Sequence, residues 1–540
     1  MKVLFKNEFT IALLAALLFI PFIGVVHLFD WDEINFAESA REMIVTGDYF
    51  SVQINYQRFF EKPPLFFWLQ VLSMKAFGVN EFAARFPNAL CGIVTLVMLF
   101  KIGKKVFNEH LARFWVLIYL GTFFTFIYFK SGIIDPWFNL FIFLGIYHFY
   151  LLTQKENLNR ILYAFFTGMF IGLAVLTKGP VAIIISLLVY GVFVIFNRFK
   201  FLISLKEFII ITLTIAAISF LWFGIDLIKN GPAFLDQFIQ YHLRLLKTGE
   251  AGHDEPFFYH WWVLLAGCFP ASLFFIQGMR MRTDTLQQAV FKKWMLILFW
   301  VTLILFSVVK TKIIHYSSLC WFPLTFLAAL CIYNYCNSSC KIYKVLNVLL
   351  AIIGSVLSIA FISIPFLMMN KDKWAHKISD VFARGNLDAV VEWNWYDGIG
   401  GWILLAGIIG YFTAKRRTFK AGLLFGSVTL CSLIICIVIT PKVEAISQRA
   451  NIEFFKSLQK KDCYPITFSY KSYAPYFYSA KLPDKNRNAS DINWLLYGKI
   501  DKSVYVSGKI QHKTLLSAIP GMLFLYEKNG FVFFKRVPEN

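Results

Sequence analysis

The chain has 540 residues, of which 58% are hydrophobic and 19% aromatic, while only 16% are charged. That balance excludes a soluble globular protein of this size and makes the lipid bilayer its main solvent. The net charge of +21 would suit a nucleic-acid surface, but the Lys and Arg residues sit in short clusters between apolar runs, which is the pattern of membrane topology.

A spanning helix needs about 20 mostly apolar residues. Runs of that kind cover 9–28, 85–107, 112–129, 136–152, 161–177, 181–196, 207–228, 259–277, 294–309, 316–336, 345–368, 399–413 and 421–440, which predicts thirteen transmembrane helices. An odd number puts the two chain ends on opposite sides of the membrane. With the N-terminus in the cytoplasm, the clusters Lys101/Lys104/Lys105/Arg113, Arg198/Lys200/Lys206, Arg280/Arg282/Lys292/Lys293 and Lys415/Arg416/Arg417/Lys420 all fall on the cytoplasmic side, accompanied by few acids. In a bacterium this orientation predicts a multi-pass protein of the inner membrane whose long connections, 29–84, 229–258, 369–398 and everything after 441, face the periplasm.

The segment 441–540 turns polar and carries short strand-like runs at 466–470 and 504–507, followed by a hairpin of 522–526 and 531–536 around Asn529-Gly530. The expected architecture is therefore a polytopic helical domain over 1–440 and a small periplasmic α/β domain over 441–540. Most of the nine cysteines lie inside apolar runs, where a thiol behaves as a small hydrophobe, so no disulfide framework is expected.

Acidic residues are dense where the chain leaves the first span, at Asp30, Asp32, Glu33, Glu38 and Glu42. Periodicity predicts a helix over 33–45 and an amphipathic helix over 65–77 started by Pro63-Pro64. On the simplest reading Asp30 and Asp32 cap the first of these, while Glu33, Glu38 and Glu42 form a solvated face with Arg41.

Several motifs in one order carry a more specific message: Asp32-Glu33, 37–43, Gly47-Asp48, Asn55 and Phe60-Glu61-Lys62-Pro63-Pro64-Leu65, then Asp135-Pro136, Leu176-Thr177-Lys178-Gly179-Pro180, Tyr241-His242 with Arg244, and Pro256-Phe257-Phe258-Tyr259. Together they resemble the aminoarabinose (4-amino-4-deoxy-L-arabinose) transferases that act on lipid A, over roughly residues 25–325. The resemblance implies the GT-C architecture shared with protein O-mannosyltransferases. It implies a glycosyltransferase that moves a sugar, an amino sugar among the candidates, from undecaprenyl phosphate or a similar polyprenyl carrier to lipid A or another periplasmic-face acceptor, with inversion at the anomeric carbon.

The departing phosphate gathers negative charge, which cations at the outer membrane boundary would stabilise. Lys62, Lys178, Arg244, Lys247 and the phenol of Tyr316 fall at that depth, and the resemblance favours Lys62, Lys178 and Tyr316; Arg244 and Lys247 compete for one further role. By the same resemblance Asp32 and Asp135 are the acids of the acceptor side. One acts as general base if the acceptor is a hydroxyl, and orients groups if it is a phosphate already ionised. The resemblance also suggests that Glu61 and His242 hold a divalent metal such as zinc, with His253 and His260 as nearby alternatives. His27, His148 and His315, near span ends, read as packed or interfacial residues. Two rivals stay open: protein O-glycosylation on the same fold, and a lipid or solute transporter. The second is disfavoured because charges cluster at the outer boundary and not at the midplane.

Overall fold

The computed structural model describes residues 5–154, 159–248, 255–337 and 340–538, with only the backbone of Leu246. Among them six helices are long and apolar enough to cross a membrane: Glu81–Val106, Arg160–Lys178, Leu286–Val308, Ile314–Asn337, Lys344–Met369 and Arg417–Ser447. The number rises to nine if three bent pairs each count as one span, Glu109–Leu120 with Phe123–Phe129 (75°), Leu205–Phe220 with Phe223–Asn230 (46°) and Tyr259–Gly267 with Ala271–Gly278 (107°). The remaining predicted spans are helices over Glu8–Phe19, Asp135–Leu152, Val181–Phe196 and Ile399–Thr413, and none of them meets the same test of length and hydropathy. The count of thirteen is therefore not confirmed. Apolar runs were read as unbroken cylinders, whereas the first helix stops at Phe19 before Pro21 and other runs bend within the bilayer. The last helical run extends past residue 440 to Ser447.

Between the first two predicted spans the chain forms a helix over Asp32–Thr46, closed by Gly47 in the left-handed conformation (φ 72°), then a short ladder of β1 (Gln53–Ile54) with β2 (Gln57–Arg58), then the helix Leu65–Phe77 after the proline pair. The first helix is not a solvated strip. Glu33, Glu38, Arg41 and Glu42 are all buried. Arg41 donates Nε to Glu38 Oε2 at 2.6 Å and Nη2 to Glu38 Oε1 at 2.7 Å, while Glu42 Oε2 accepts the Tyr56 backbone N–H at 2.8 Å. Asp30 and Asp32 do not cap the helix by side-chain hydrogen bonds either.

The burial has a cause in the C-terminal domain. There β3 (Tyr464–Phe468) pairs in parallel with β4 (Val504–Lys509), β4 pairs antiparallel with β6 (Phe531–Arg536), and β6 with β5 (Met522–Lys528), giving the order β3-β4-β6-β5. The hairpin turns at Asn529 (φ 51°) and Gly530 (φ 78°), two consecutive positive φ values that an Asn-Gly pair adopts readily. Helices such as Ala474–Tyr478 and Ile492–Tyr497 fill the crossover that a parallel pair requires. The domain then lays Phe454, Phe455, Phe477, Tyr478, Phe531 and Phe533 against Ile34, Phe36, Ala37, Ala40 and Met43 of the loop helix, forming one shared core. Polar links finish the seam. Arg41 Nη2 and the Tyr56 hydroxyl donate to the Lys481 carbonyl at 2.7 and 2.6 Å, and Lys481 Nζ donates to Asn55 Oδ1 at 2.5 Å.

Burial and the neighbouring charge of Glu38 push Glu42 up to about 9. The folded state therefore holds a proton on Glu42 that the unfolded chain releases near its ordinary value of 4.5. Stability should fall as pH rises between those values and level off above about 9. Thermal midpoints of the purified protein across pH 6 to 9 should show that decline, and Glu42→Gln should flatten it; an unchanged slope in the variant would contradict the assignment.

Candidate active site

The ends of three helices and one turn converge at the boundary between the helical body and the C-terminal domain. Asp32 opens the helix Asp32–Thr46, and Asp135, followed by Pro136 in the first turn, opens Asp135–Leu152. Both carboxylates thus sit at helix N-termini, where the backbone dipoles favour negative charge. Lys178 ends Arg160–Lys178, the position that favours a cation. The next residue, Gly179 (φ 98°), lets the helix Ala233–Lys247 come close, because a Cβ there would lie 2.4 Å from Phe238 Cζ. Tyr316 lies in the 3-10 turn Ile314–Cys320.

These residues line one cleft with Trp31, Asn35, Glu61, Lys62, Tyr241, Thr311, His315, Lys471 and Tyr473. Asp135 is buried and its Oδ1 accepts Lys178 Nζ at 2.6 Å. Lys178 Nζ also stands 4.6 Å from the centre of the Tyr316 ring. Lys62 Nζ reaches the Tyr241 hydroxyl at 3.5 Å and its ring centre at 4.9 Å. Asp32 differs from Asp135 in environment, with 42% of its side chain exposed against 3%. The cleft therefore holds three ammonium groups, of Lys62, Lys178 and Lys471, and three phenols, of Tyr241, Tyr316 and Tyr473, beside the accessible carboxylate of Asp32.

Asp32 owes its place to the residue after it. Arg85 Nε and Nη2 donate to Glu33 Oε1 and Oε2, both at 2.8 Å, with both side chains buried. The guanidinium also donates to the carbonyls of Ile23, Val26 and His27 at 2.6–2.9 Å, and Glu33 accepts the backbone N–H groups of Phe29 at 2.9 Å and Gly132 at 2.5 Å. Burial alone would raise the Glu33 carboxyl, but the charge and hydrogen bonds of Arg85 hold it below its ordinary value. A fully partnered pair of this kind fixes the start of one helix, the loop before it and the strand of chain leading to Asp135.

Of the other predicted residues, Arg244 lines an adjoining cavity of about 500 Å³ with Arg58, Glu61, Gln237, Gln240 and Tyr241, while Lys247, exposed at the end of its helix, is not among the residues lining the cleft. His242 Nδ1–H donates to the Phe238 carbonyl at 2.8 Å, the one direction a carbonyl allows. Burial, with the charges of Lys62 and Lys178, pulls its pKa down to about 4, so the imidazole is neutral. Glu61 lines the cleft and His242 does not, and among the described residues no group of three or more His, Cys, Asp or Glu side chains is placed to hold a metal ion. His253 lies outside the described residues. His260 is fully buried, and neither ring nitrogen has a hydrogen-bond partner among the described residues.

His27 and His148 are packed as expected, the first against Glu444 Oε1 at 2.8 Å and the second with Nδ1 on the Leu144 carbonyl at 2.7 Å. His315 is not merely packed: Nε2 lies 3.4 Å from Asp135 Oδ2 and 3.7 Å from Asp32 Oδ2, inside the cleft. Sequence reasoning also missed Asn35, whose buried Oδ1 has no hydrogen-bond partner among the described residues, and the wall given by Lys471 and Tyr473. That wall is clamped to the loop, since Trp31 Nε1 donates to the Lys471 carbonyl at 2.7 Å and Asp30 accepts the Ser472 hydroxyl and the Tyr473 N–H. Burial, partly offset by those bonds and by Lys471, raises Asp30 to about 6. Only the tyrosine-rich stretch 470–478 hints at this wall in the sequence. A mostly apolar groove of about 480 Å³, lined by Phe124, Ile127, Tyr128 and Trp321, leads away from the Asp32 and His315 side.

The chain is similar in sequence and in fold to known proteins. A family model described as dolichyl-phosphate-mannose-protein mannosyltransferase matches residues 61–223. An undecaprenyl phosphate-alpha-4-amino-4-deoxy-L-arabinose arabinosyl transferase of Photorhabdus laumondii is 27% identical over 348 residues, covering 61% of this chain and 60% of the relative. Its counterpart in Wigglesworthia glossinidia is 26% identical over 368 residues, 66% of this chain and 64% of the relative. The chain thus matches less than two thirds of the length of either. In three dimensions it is similar to the crystal structure of ArnT from Cupriavidus metallidurans bound to undecaprenyl phosphate, with a TM-score of 0.79 at 17% identity over 99% of this chain and 98% of that one.

If the Glu33–Arg85 pair holds the site together, Glu33→Ala should cost about 3–5 kcal/mol, because it leaves a buried guanidinium without its carboxylate. Thermal unfolding of the purified variant in detergent would read this as a large fall in midpoint; a variant as stable as the parent would contradict it.

Proposed function

We propose that this chain, a multi-pass membrane protein with the GT-C fold of the aminoarabinose transferases, moves a sugar from a polyprenyl phosphate, undecaprenyl phosphate in a bacterium, to lipid A or another acceptor at the periplasmic face. The observation that carries the reading is the single cleft in which Lys62, Lys178 and Tyr316 stand beside the accessible Asp32. The protein sits in the inner membrane with its N-terminus in the cytoplasm and its C-terminal domain in the periplasm, as the distribution of Lys and Arg supports.

The anomeric carbon–oxygen bond breaks with its electron pair leaving on the phosphate. Lys62 and Lys178, with the Tyr316 hydroxyl, are placed to stabilise that developing charge. Lys178 is held in place by Asp135, whereas the hydrogen bond of Lys62 among the described residues is to the neutral Tyr241 phenol, which leaves its ammonium for the phosphate. Asp32 takes the proton of an acceptor hydroxyl, or orients an acceptor phosphate that needs no base. Attack from the side opposite the phosphate inverts the anomeric centre. A divalent metal such as zinc would take Glu61 and the neutral His242 as ligands and would itself supply positive charge; two side chains do not complete a structural site by themselves.

The match to protein mannosyltransferases keeps a protein acceptor as the second reading. The apolar groove leading from Asp32 and His315 favours a lipid, because an extended peptide would bring backbone groups that such a groove cannot satisfy. Mass spectrometry of lipid A and membrane glycolipids from cells carrying the parent protein, Asp32→Ala or Lys62→Ala should find a sugar-sized increment only with the parent, each variant losing at least about 100-fold in transfer. Unchanged lipid A in all three, with a sugar gained on periplasmic proteins, would replace the lipid reading with the protein one.

A further inference from the structure

The two aspartates of the cleft are joined through a residue that the mechanism above does not use. His315 Nε2 faces Asp32 Oδ2 at 3.7 Å and Asp135 Oδ2 at 3.4 Å, and its side chain is 17% exposed. Both neighbours are carboxylate oxygens, and at these distances Nε2 meets them as a close electrostatic contact, with Asp135 Oδ2 left without a hydrogen-bond partner among the described residues. Without His315 the two carboxylates would confront each other across the cleft with Lys178 engaged on the far oxygen of Asp135.

We propose that His315 is a positioning residue for sugar transfer: its ring stands between Asp32 and the buried Asp135–Lys178 pair and fixes where the Asp32 carboxylate stands to receive the acceptor's proton. The assignment rests on the sugar-transfer reading above. In the step concerned, the acceptor O–H bond breaks and its proton passes to Asp32, the acceptor oxygen bonds to the anomeric carbon, and the bond from that carbon to the phosphate oxygen breaks with its electron pair on the phosphate. His315 itself neither gains nor loses a proton. It acts by standing against the Oδ2 atoms of both carboxylates.

The charged and titratable groups that face His315 from the surrounding elements fit this role. Asp32 comes from the helix Asp32–Thr46 and Asp135 from Asp135–Leu152, while Lys178 comes from Arg160–Lys178 and reaches the ring of the adjacent Tyr316. His260, from Tyr259–Gly267, feels both His315 and Lys312. Lys62 acts on Asp135 from the loop. Carboxylates therefore meet Nε2, and cations surround the far side of the Asp135 carboxylate.

The test uses the full-length protein in liposomes with a synthetic polyprenyl-phosphate sugar and a hydroxyl acceptor, comparing the parent with His315→Ala and His315→Gln across pH 5.5 to 9. His315→Ala should lose about 10- to 100-fold in kcat with the donor KM unchanged within about twofold. His315→Gln, close to histidine in size and still an N–H donor, should recover most of the lost kcat, which separates the role from a general loss of folding. A His315→Ala protein with the parent's kcat would overturn the assignment, as would a loss confined to donor KM or a Gln variant no better than Ala. Absence of transfer by the parent protein would overturn the sugar-transfer reading and this assignment with it.

Discussion

The buried pair of Glu33 and Arg85 is the constraint on which the rest of the site depends. One guanidinium and one carboxylate, both out of water, satisfy each other and also tie down three carbonyls after the first helix and two backbone N–H groups, those of Phe29 and Gly132. Taking two such ions out of water is costly unless the remaining donors and acceptors are used as well, and here they are. The geometric result is that Asp32, next to Glu33, and Asp135, three residues after Gly132, are held on opposite sides of one cleft although about a hundred residues of chain separate them.

Helix ends supply the electrostatics. The carboxylates sit at helix N-termini and Lys178 at a C-terminus, so each charge is supported by its own backbone before it meets a partner. The cleft lies where apolar helices give way to the polar C-terminal domain, which suits a reaction between a lipid-borne phosphate and a polar acceptor. Lys471 and Tyr473 close the wall on the polar side, and the shared core of the loop helix with Phe454, Phe477 and Phe533 makes that wall part of the same rigid unit.

Much of this was legible in the sequence. Apolar runs located the membrane helices, Asn529-Gly530 located the hairpin, and the Asp-Pro and Lys-Gly-Pro junctions marked the helix ends that carry Asp135 and Lys178. What was not legible depended on tertiary contact. Glu33, Glu38 and Glu42 have the spacing of a solvated face, and only the C-terminal domain and Arg85 turn them into buried groups. His315 reads as an interfacial residue because nothing in its neighbourhood announces the two aspartates, which arrive from helices 180 or more positions earlier. Bends within three apolar runs leave hydropathy unchanged, so the number of spans could not be fixed from composition.

The most direct test of the account is the structure of the protein in a lipid nanodisc with polyprenyl phosphate bound. The phosphate should lie within hydrogen-bond reach of Lys62, Lys178 and the Tyr316 hydroxyl, with Asp32 and His315 on its far side facing the apolar groove. A phosphate bound elsewhere, for instance beside the basic clusters at the other ends of the helices, would contradict the account.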